Sequence, residues 1–281
     1  MTHPEPKTDR IDFSRQEPPA ERSPHCSVPV RGTISTPAGE DVSILWQVPE
    51  EVPIAFVYNK RPHAVMMATP ADLEDFAVGF SVAEDVIEDA SAIVSLKVDY
   101  LEKGIKLCIA ADPKRMSKGR KAKRTLEGRS GCGLCGIEQL EQAVRTPRKV
   151  SDVGASIGSE AVAAAFKALR DHQPMNRVNR SVHAAAFCDR DGRILVCRED
   201  VGRHNALDKL IGALLRANTD PTSGFVIMSS RCSFELVSKA ASIGVPFLAT
   251  VSAPTALALD LAREAGMRLG ARTPDGVAIF Q

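Results

Sequence analysis

Aromatic residues are scarce in this chain. They make up 5% of 281 residues, with one Trp and two Tyr, so its core must be built from aliphatic side chains. No apolar run reaches the roughly 18 residues that a membrane-spanning helix requires. The first thirty residues hold Pro4, Pro6, Pro18, Pro19, Pro24 and Pro29 among mixed charges. They lack the apolar stretch of a secretory signal. Nor is there a charge excess: 36 Lys+Arg against 35 Asp+Glu leave +1, which argues against binding nucleic acid by bulk charge. A disulfide framework is also missing, because the seven cysteines are odd in number and Cys26, Cys108, Cys188, Cys197 and Cys232 stand singly. That usage fits a reducing compartment. With 44% apolar and 25% charged residues, the expectation is a globular cytoplasmic protein with no membrane and no nucleic-acid partner.

What the chain does have is local. Between Lys114 and Arg124 lie seven basic residues and no acid, which leaves the remainder net acidic. Such a run without interleaved aromatics suits a solvated loop or an acidic docking partner better than RNA. Residues 1–35 read as a disordered, Pro-rich leader. Residues 36–127 read as an N-terminal α+β domain. In it Val42, Ile44 and Trp46 alternate, Pro53–Tyr58 and Ala64–Met67 are short strands, and Val94–Tyr100 and Ile105–Ala110 form one more pair. Thr69 and Pro70 are placed to cap and open a helix whose buried stripe is Leu73, Phe76, Ala77 and Phe80.

Residues 128–150 read as a glycine-rich loop and a linker helix carrying Ile137, Leu140 and Val144. Residues 151–281 then alternate strands and helices as a layered α/β domain with helices on both faces. Val162, Phe166 and Leu169 mark one helix. His183–Cys188 and Ile194–Cys197 flank an Asp191-Gly192 hairpin turn. A second helix carries Leu207, Leu210, Ile211 and Leu214 behind Asn205 as its cap. Phe225–Met228 and Val245–Val251 are strands, and helices end at Gly244 and Gly266. A last hairpin turns at Pro274-Asp275-Gly276.

Cys132-Gly133-Leu134-Cys135 is the sharpest chemical signal. Two cysteines at this spacing suit metal binding, disulfide exchange or persulfide transfer. Zinc would want two further ligands, and no second Cys pair or His cluster supplies them. A thioredoxin-like pair would follow a strand, whereas this one follows a basic, glycine-rich loop. Arg129, the basic run and a helix start beyond Cys135 all favour a thiolate. Gly131, Gly133 and Gly136 also satisfy Gly-x-Gly-x-x-Gly, but no strand precedes them and no acid follows at the required distance. His183 lacks the His-x-Glu and following Pro-Cys-x-x-Cys of a zinc deaminase.

A second cluster runs from Arg198 through Glu199, Asp200, Val201, Gly202, Arg203 and His204 to Asn205. Polar residues here would lie beyond the carboxyl end of a strand, where α/β sheets bind ligands. Arg203 and His204 at a helix start favour an anionic group, and a capping network is the alternative. Ser229-Ser230-Arg231 holds the equivalent place after the next buried strand.

From Val52 to Phe280, about four-fifths of the chain, the sequence resembles the formate dehydrogenase accessory protein family, FdhD/NarQ. The resemblance rests on Met66-Met67-Ala68-Thr69-Pro70, Glu74–Phe80, Gly131–Gly136 and His183–Ala186. It continues through Arg198–Lys209, Ser233–Ala241 and Val251–Pro254. It implies a cytidine-deaminase-like α/β/α C-terminal domain, a smaller α+β N-terminal domain and a homodimer. It also implies a sulfur carrier: a cysteine desulfurase loads sulfur on Cys132, with Cys135 as its partner. The carrier passes that sulfur to the bis(molybdopterin guanine dinucleotide) molybdenum cofactor, which enters formate dehydrogenase. By the same resemblance Arg272, Thr273, Pro274, Asp275, Gly276 and Val277 would contact this cofactor. Arg203, His204 and Arg231 would hold its guanine nucleotide, and no resident metal is expected.

Overall fold

A computed structural model describes residues 25–35, 37, 39, 41–117, 146–151 and 157–280. The chain opens with an antiparallel ribbon of β1 (Ser27–Ser35) and β2 (Asp41–Pro49). The leader expected to extend to residue 35 is therefore corrected, since its last nine residues are a strand. Val28, Val30 and Ile34 alternate with polar residues there, and β2 supplies the matching apolar row.

A four-stranded sheet follows in the order β4-β3-β6-β5, from β3 (Val52–Tyr58), β4 (Arg61–Ala68), β5 (Ile93–Leu101) and β6 (Gly104–Ala111). The period of two sends Ile54, Phe56 and Tyr58 of β3 and Ile105, Leu107 and Ile109 of β6 to one buried face. Helix α1 (Leu73–Ala83) covers that face, with Phe76 edge-on to Phe56 at 5.1 Å and Phe80 stacked on it at 4.1 Å. Thr69 does not cap this helix. The helix begins three residues beyond Pro70, after Asp72 turns the chain with φ 52°. The Thr69 hydroxyl accepts instead from the Val201 N–H at 3.1 Å, so a tertiary bond takes the place of a local cap.

The remaining chain forms a six-stranded sheet, β12-β11-β10-β9-β7-β8. Its strands are β7 (His183–Asp189), β8 (Ile194–Asp200), β9 (Gly224–Met228), β10 (Phe247–Thr250), β11 (Arg268–Thr273) and β12 (Gly276–Phe280). The central β9, β10 and β11 are parallel, and the hairpins β7–β8 and β11–β12 close the two sides antiparallel. Helices α4 (Arg203–Arg216), α5 (Phe234–Ser242) and α6 (Ala256–Ala265) pack on one face against Ala185, Phe187, Val226, Met228 and Leu248. Helix α2 (Ser159–Ala168) covers the other against Ala184, Ala186, Phe225 and Ile227. The helices on both faces expected from the sequence are thus observed. A short α3 (Pro174–Asn179) joins α2 to β7.

Asn205 is not the cap of α4. Gly202 precedes the helix, and Asn205 lies inside its first turn, donating to Asp200 Oδ1 at 2.9 Å and to the Met67 carbonyl at 2.8 Å. Thr255 does cap α6, accepting from the Ala258 N–H at 3.2 Å.

The two units meet where α1 lies against α4. A Cβ on Gly79 would fall 1.7 Å from the Asp208 carbonyl oxygen, and one on Gly212 would fall 1.8 Å from that of Asp75. Only glycine admits two helix backbones this close. The approach lets short polar groups on one unit reach buried partners on the other.

Candidate functional site at the carboxyl edge of the large sheet

Register places the candidate residues along one edge of the six-stranded sheet. His183 opens β7 opposite Asp200, which ends β8. Arg203 and His204 then begin α4. Ser229, Ser230 and Arg231 follow β9, and the Ser229 hydroxyl ties this loop to β7 by accepting from the Ala184 N–H at 2.8 Å. Arg272 and Thr273 end β11, with Gly276 and Val277 opposite them in β12. Pro274 and Asp275 form the turn between. This is the edge at which parallel strands terminate and helices begin, where α/β sheets accept ligands.

Much of the polar run after β8 is committed to structure. Arg198 donates to Asp75 at 2.8 Å and approaches Asp72 at 3.4 Å. Glu199 accepts from the Met175 and Asn176 N–H groups at 2.8 and 2.9 Å, satisfying the start of α3. Asp200 accepts from the N–H groups of Thr69 (3.0 Å) and Gly202 (2.8 Å) and pairs with Lys209 Nζ at 2.6 Å. Lys209 also donates to the Thr69 carbonyl at 2.9 Å. For these residues the capping-network reading holds. The turn they fix carries Arg203, half-buried, while Arg231 after β9 and Arg272 at the end of β11 are exposed.

His204 lies beneath this edge. It is 5% exposed, and its Nε2 is 3.7 Å from a carboxylate oxygen of Glu235 in the first turn of α5. Burial lowers its pKa below the ordinary 6.5, a shift the Glu235 carboxylate opposes. His183 is lowered too, first by burial and then by the Arg203 charge. Both rings are therefore neutral at pH 7, and the positive potential of the edge comes from arginines and helix starts.

The sequence reading missed the partners: Asp75, Lys209, Glu235, and the pair Lys239–Asp208 at 2.7 Å, which also takes in Glu84 at 3.0 Å. A signal existed. Asn205, Lys209 and Gly212 recur at i, i+4 and i+7, a polar and small stripe on a helix otherwise buried all round.

Cys132 and Cys135 lie outside the described residues, as do Lys118–Arg124 of the basic run and the linker helix. The residues flanking that segment are anchored at the opposite end of the sheet from the arginine edge. Ser117 N–H donates to Val86 beyond α1 at 3.1 Å, and Arg148 reaches the Ser242 carbonyl at the end of α5 at 3.4 Å. Val150 N–H bonds Ala265 at the end of α6 at 2.7 Å. Among the described residues no three His, Cys, Asp or Glu side chains gather as a metal site, and no helix is long and apolar enough to cross a membrane.

Comparison with known proteins gives this geometry a lineage. The chain is 45% identical over 251 residues to the sulfur carrier protein FdhD of Xanthomonas euvesicatoria pv. vesicatoria, covering 89% of each. It is 48% identical over 223 residues to the sulfur carrier protein FdhD of Cupriavidus necator, covering 79% of this chain and 77% of that one. Its fold matches the crystal structure of a candidate formate dehydrogenase accessory protein from Desulfotalea psychrophila. The TM-score is 0.72 at 24% identity, over 92% of this chain and 97% of that one. The FdhD/NarQ family model matches residues 49–280, a span holding both the Cys pair and every residue of the arginine edge, and the chain belongs to that family.

Proposed function

We propose that this protein is a cytoplasmic sulfur carrier that serves formate dehydrogenase, working as a homodimer. The observation that carries the reading is the 45% identity to a protein named as a sulfur carrier, joined to a Cys-x-x-Cys pair inside the family span. The layered second unit is consistent with the cytidine-deaminase-like architecture that the resemblance implies.

In the proposed chemistry the Cys132 thiolate attacks the outer sulfur of a persulfide on a cysteine desulfurase. One S–S bond breaks and one forms, the donor cysteine leaves as its thiolate, and Cys132 carries the persulfide. No net oxidation occurs in this step. The neighbouring positive charge of Arg129 and the basic run supports a thiolate at neutral pH. The acceptor is the bis(molybdopterin guanine dinucleotide) molybdenum cofactor, bound as substrate before it enters formate dehydrogenase. Attack of Cys135 on the inner sulfur of the persulfide would free sulfide and leave a Cys132–Cys135 disulfide, which a cellular thiol reductant must reopen.

Arg203, Arg231 and Arg272 are the side chains we assign to the cofactor's phosphates, because guanidinium groups favour such anions and the first two stand beside the starts of α4 and α5. Thr273, Pro274, Asp275, Gly276 and Val277 form the hairpin at the same edge. His204 contributes here by supporting the turn beneath Arg203, since its ring is buried.

Intact mass after incubation with a desulfurase and cysteine tests the reading. The expected result is a gain of one sulfur, reversed by reductant and absent in Cys132→Ala. No gain with a competent donor would overturn the carrier role and favour a scaffold that only presents the cofactor.

A further inference from the structure

Thr69 is wholly excluded from solvent, and each of its polar groups bonds the polar run that follows β8. Its N–H donates to Asp200 Oδ2 at 3.0 Å, and its hydroxyl accepts from the Val201 N–H at 3.1 Å. Its carbonyl accepts from Lys209 Nζ at 2.9 Å. Two residues earlier, the Met67 carbonyl accepts from Asn205 at 2.8 Å. One short loop of the N-terminal unit thus holds the segment from Asp200 to Lys209, and Arg203 starts its helix within that segment.

These bonds have different consequences. The Lys209–Asp200 pair and the close approach at Gly79 and Gly212 already hold α4 against α1. The Thr69 hydroxyl acts elsewhere. Strand β8 ends at Asp200, where its ladder with β7 closes at His183, and α4 begins at Arg203. The Val201 N–H falls between them, where neither ladder nor helix offers an acceptor. The Gly202 N–H finds Asp200 Oδ1 at 2.8 Å within the same run, whereas Val201 is met from the other unit. A Cβ on Gly202 would lie 2.8 Å from Asn205 Nδ2, so the turn is tight and passes any shift of Val201 on to Arg203.

We propose that Thr69 is a positioning residue for the anion site at the sheet edge. Its hydroxyl fixes the direction in which the chain leaves β8, and with it the place of the Arg203 guanidinium. Placement matters because a guanidinium binds phosphate through a planar fork of donors whose geometry must match. The inference rests on the assignment of Arg203 to a cofactor phosphate made above. It gives the N-terminal unit, which supplies none of the three arginines of that edge, a part in binding.

The test is a double-mutant cycle, read by calorimetric titration of the full chain with guanosine diphosphate as the probe. Thr69→Val keeps the shape and loses the acceptor, while Thr69→Ser keeps the acceptor. Each is compared with Arg203→Ala, and Thr69→Val is combined with it. Thr69→Val is expected to weaken binding about tenfold. Thr69→Ser should restore most of that loss, and Thr69→Val should cost nothing further once Arg203 is gone. A general structural lesion would weaken binding equally in both backgrounds, and that result overturns the proposal. Wild-type affinity in Thr69→Val, with Arg203→Ala weakened, overturns it too and leaves the arginine edge standing. Unchanged affinity in Arg203→Ala, or no binding by the wild type, overturns the assignment of Arg203 and the proposal with it. If Thr69→Val fails to fold, Thr69→Ala takes its place in the cycle. If neither folds, amide exchange of the wild type decides. A Val201 N–H exchanging as slowly as those of β8 supports the tie, and one as fast as an exposed loop sinks it.

Discussion

Lys209 Nζ lies 2.6 Å from Asp200 Oδ2, and both side chains are wholly excluded from solvent. The pair holds α4 to the end of β8 and, through Thr69, to the N-terminal unit. Removing one member strands the other as a buried charge, which typically costs about 3–5 kcal/mol. Lys209→Met should therefore lower the urea midpoint by that equivalent. The double variant with Asp200→Asn should recover part of the loss. A midpoint within experimental error of wild type for Lys209→Met would show that the pair does not hold the units together.

The contact of α1 with α4 should be intolerant of a single methyl group. Gly79→Ala and Gly212→Ala each place a Cβ within 2 Å of a carbonyl oxygen on the facing helix, so the helices must move apart. Overpacking of this kind costs about 1–3 kcal/mol, and more where backbone has to shift. Thermal melts should show both variants destabilised. Gly244→Ala, at a helix end with open space around it, loses only what its φ of 86° imposes.

Acid should weaken the fold as soon as the unfolded chain's histidines begin to titrate. His204 and His183 are both lowered from 6.5, chiefly by burial. As pH falls through 6.5 the unfolded chain takes up protons at these positions that the folded chain does not, so stability decreases as pH falls. Asp208, raised by burial to about 6, acts in the opposite sense below that value. Between pH 7.5 and 6.5 the histidines dominate, because Asp208 only begins to protonate there. Denaturation free energy should decline across that range, and His204→Gln should flatten the slope. An unchanged slope would mean that His204 titrates alike in both states.

Sulfur loading and alkylation should select Cys132 and Cys135. Cys188, Cys197 and Cys232 are held as thiols by burial, with the latter two pushed up to about 12. Peptide mapping after brief iodoacetamide treatment at pH 8 should find label at the Cys pair well before these three. Equal labelling of Cys232 in the folded protein would contradict its burial.

The local elements were largely legible in the sequence, because period-two and helical apolar patterns are backbone geometry written in side chains. The strands of both sheets, the helices on both faces of the large sheet and the glycine stops at Gly244 and Gly266 all followed from it. The β1 strand did not, since prolines and charges mask the alternation of Val28, Val30 and Ile34. Arg203 and Arg231 of the candidate edge were also visible, as polar residues placed after strands, whereas Arg272 came only through the family resemblance.

What sequence could not supply was the partner of each polar group. Thr69 and Asn205 sit where local capping is natural, yet both are taken by residues more than a hundred positions away. A buried polar atom bonds whatever packing brings near it, and that is a property of the tertiary fold. The residue types determined which groups the chain carries: a Cys-x-x-Cys pair and the arginines of the candidate edge. Only the folded structure decided that Asp200, Asn205 and Lys209 are structural, that His204 is buried against Glu235, and that Arg180 lies over Trp46 of the ribbon. Each of these depends on distances between elements that no local pattern encodes.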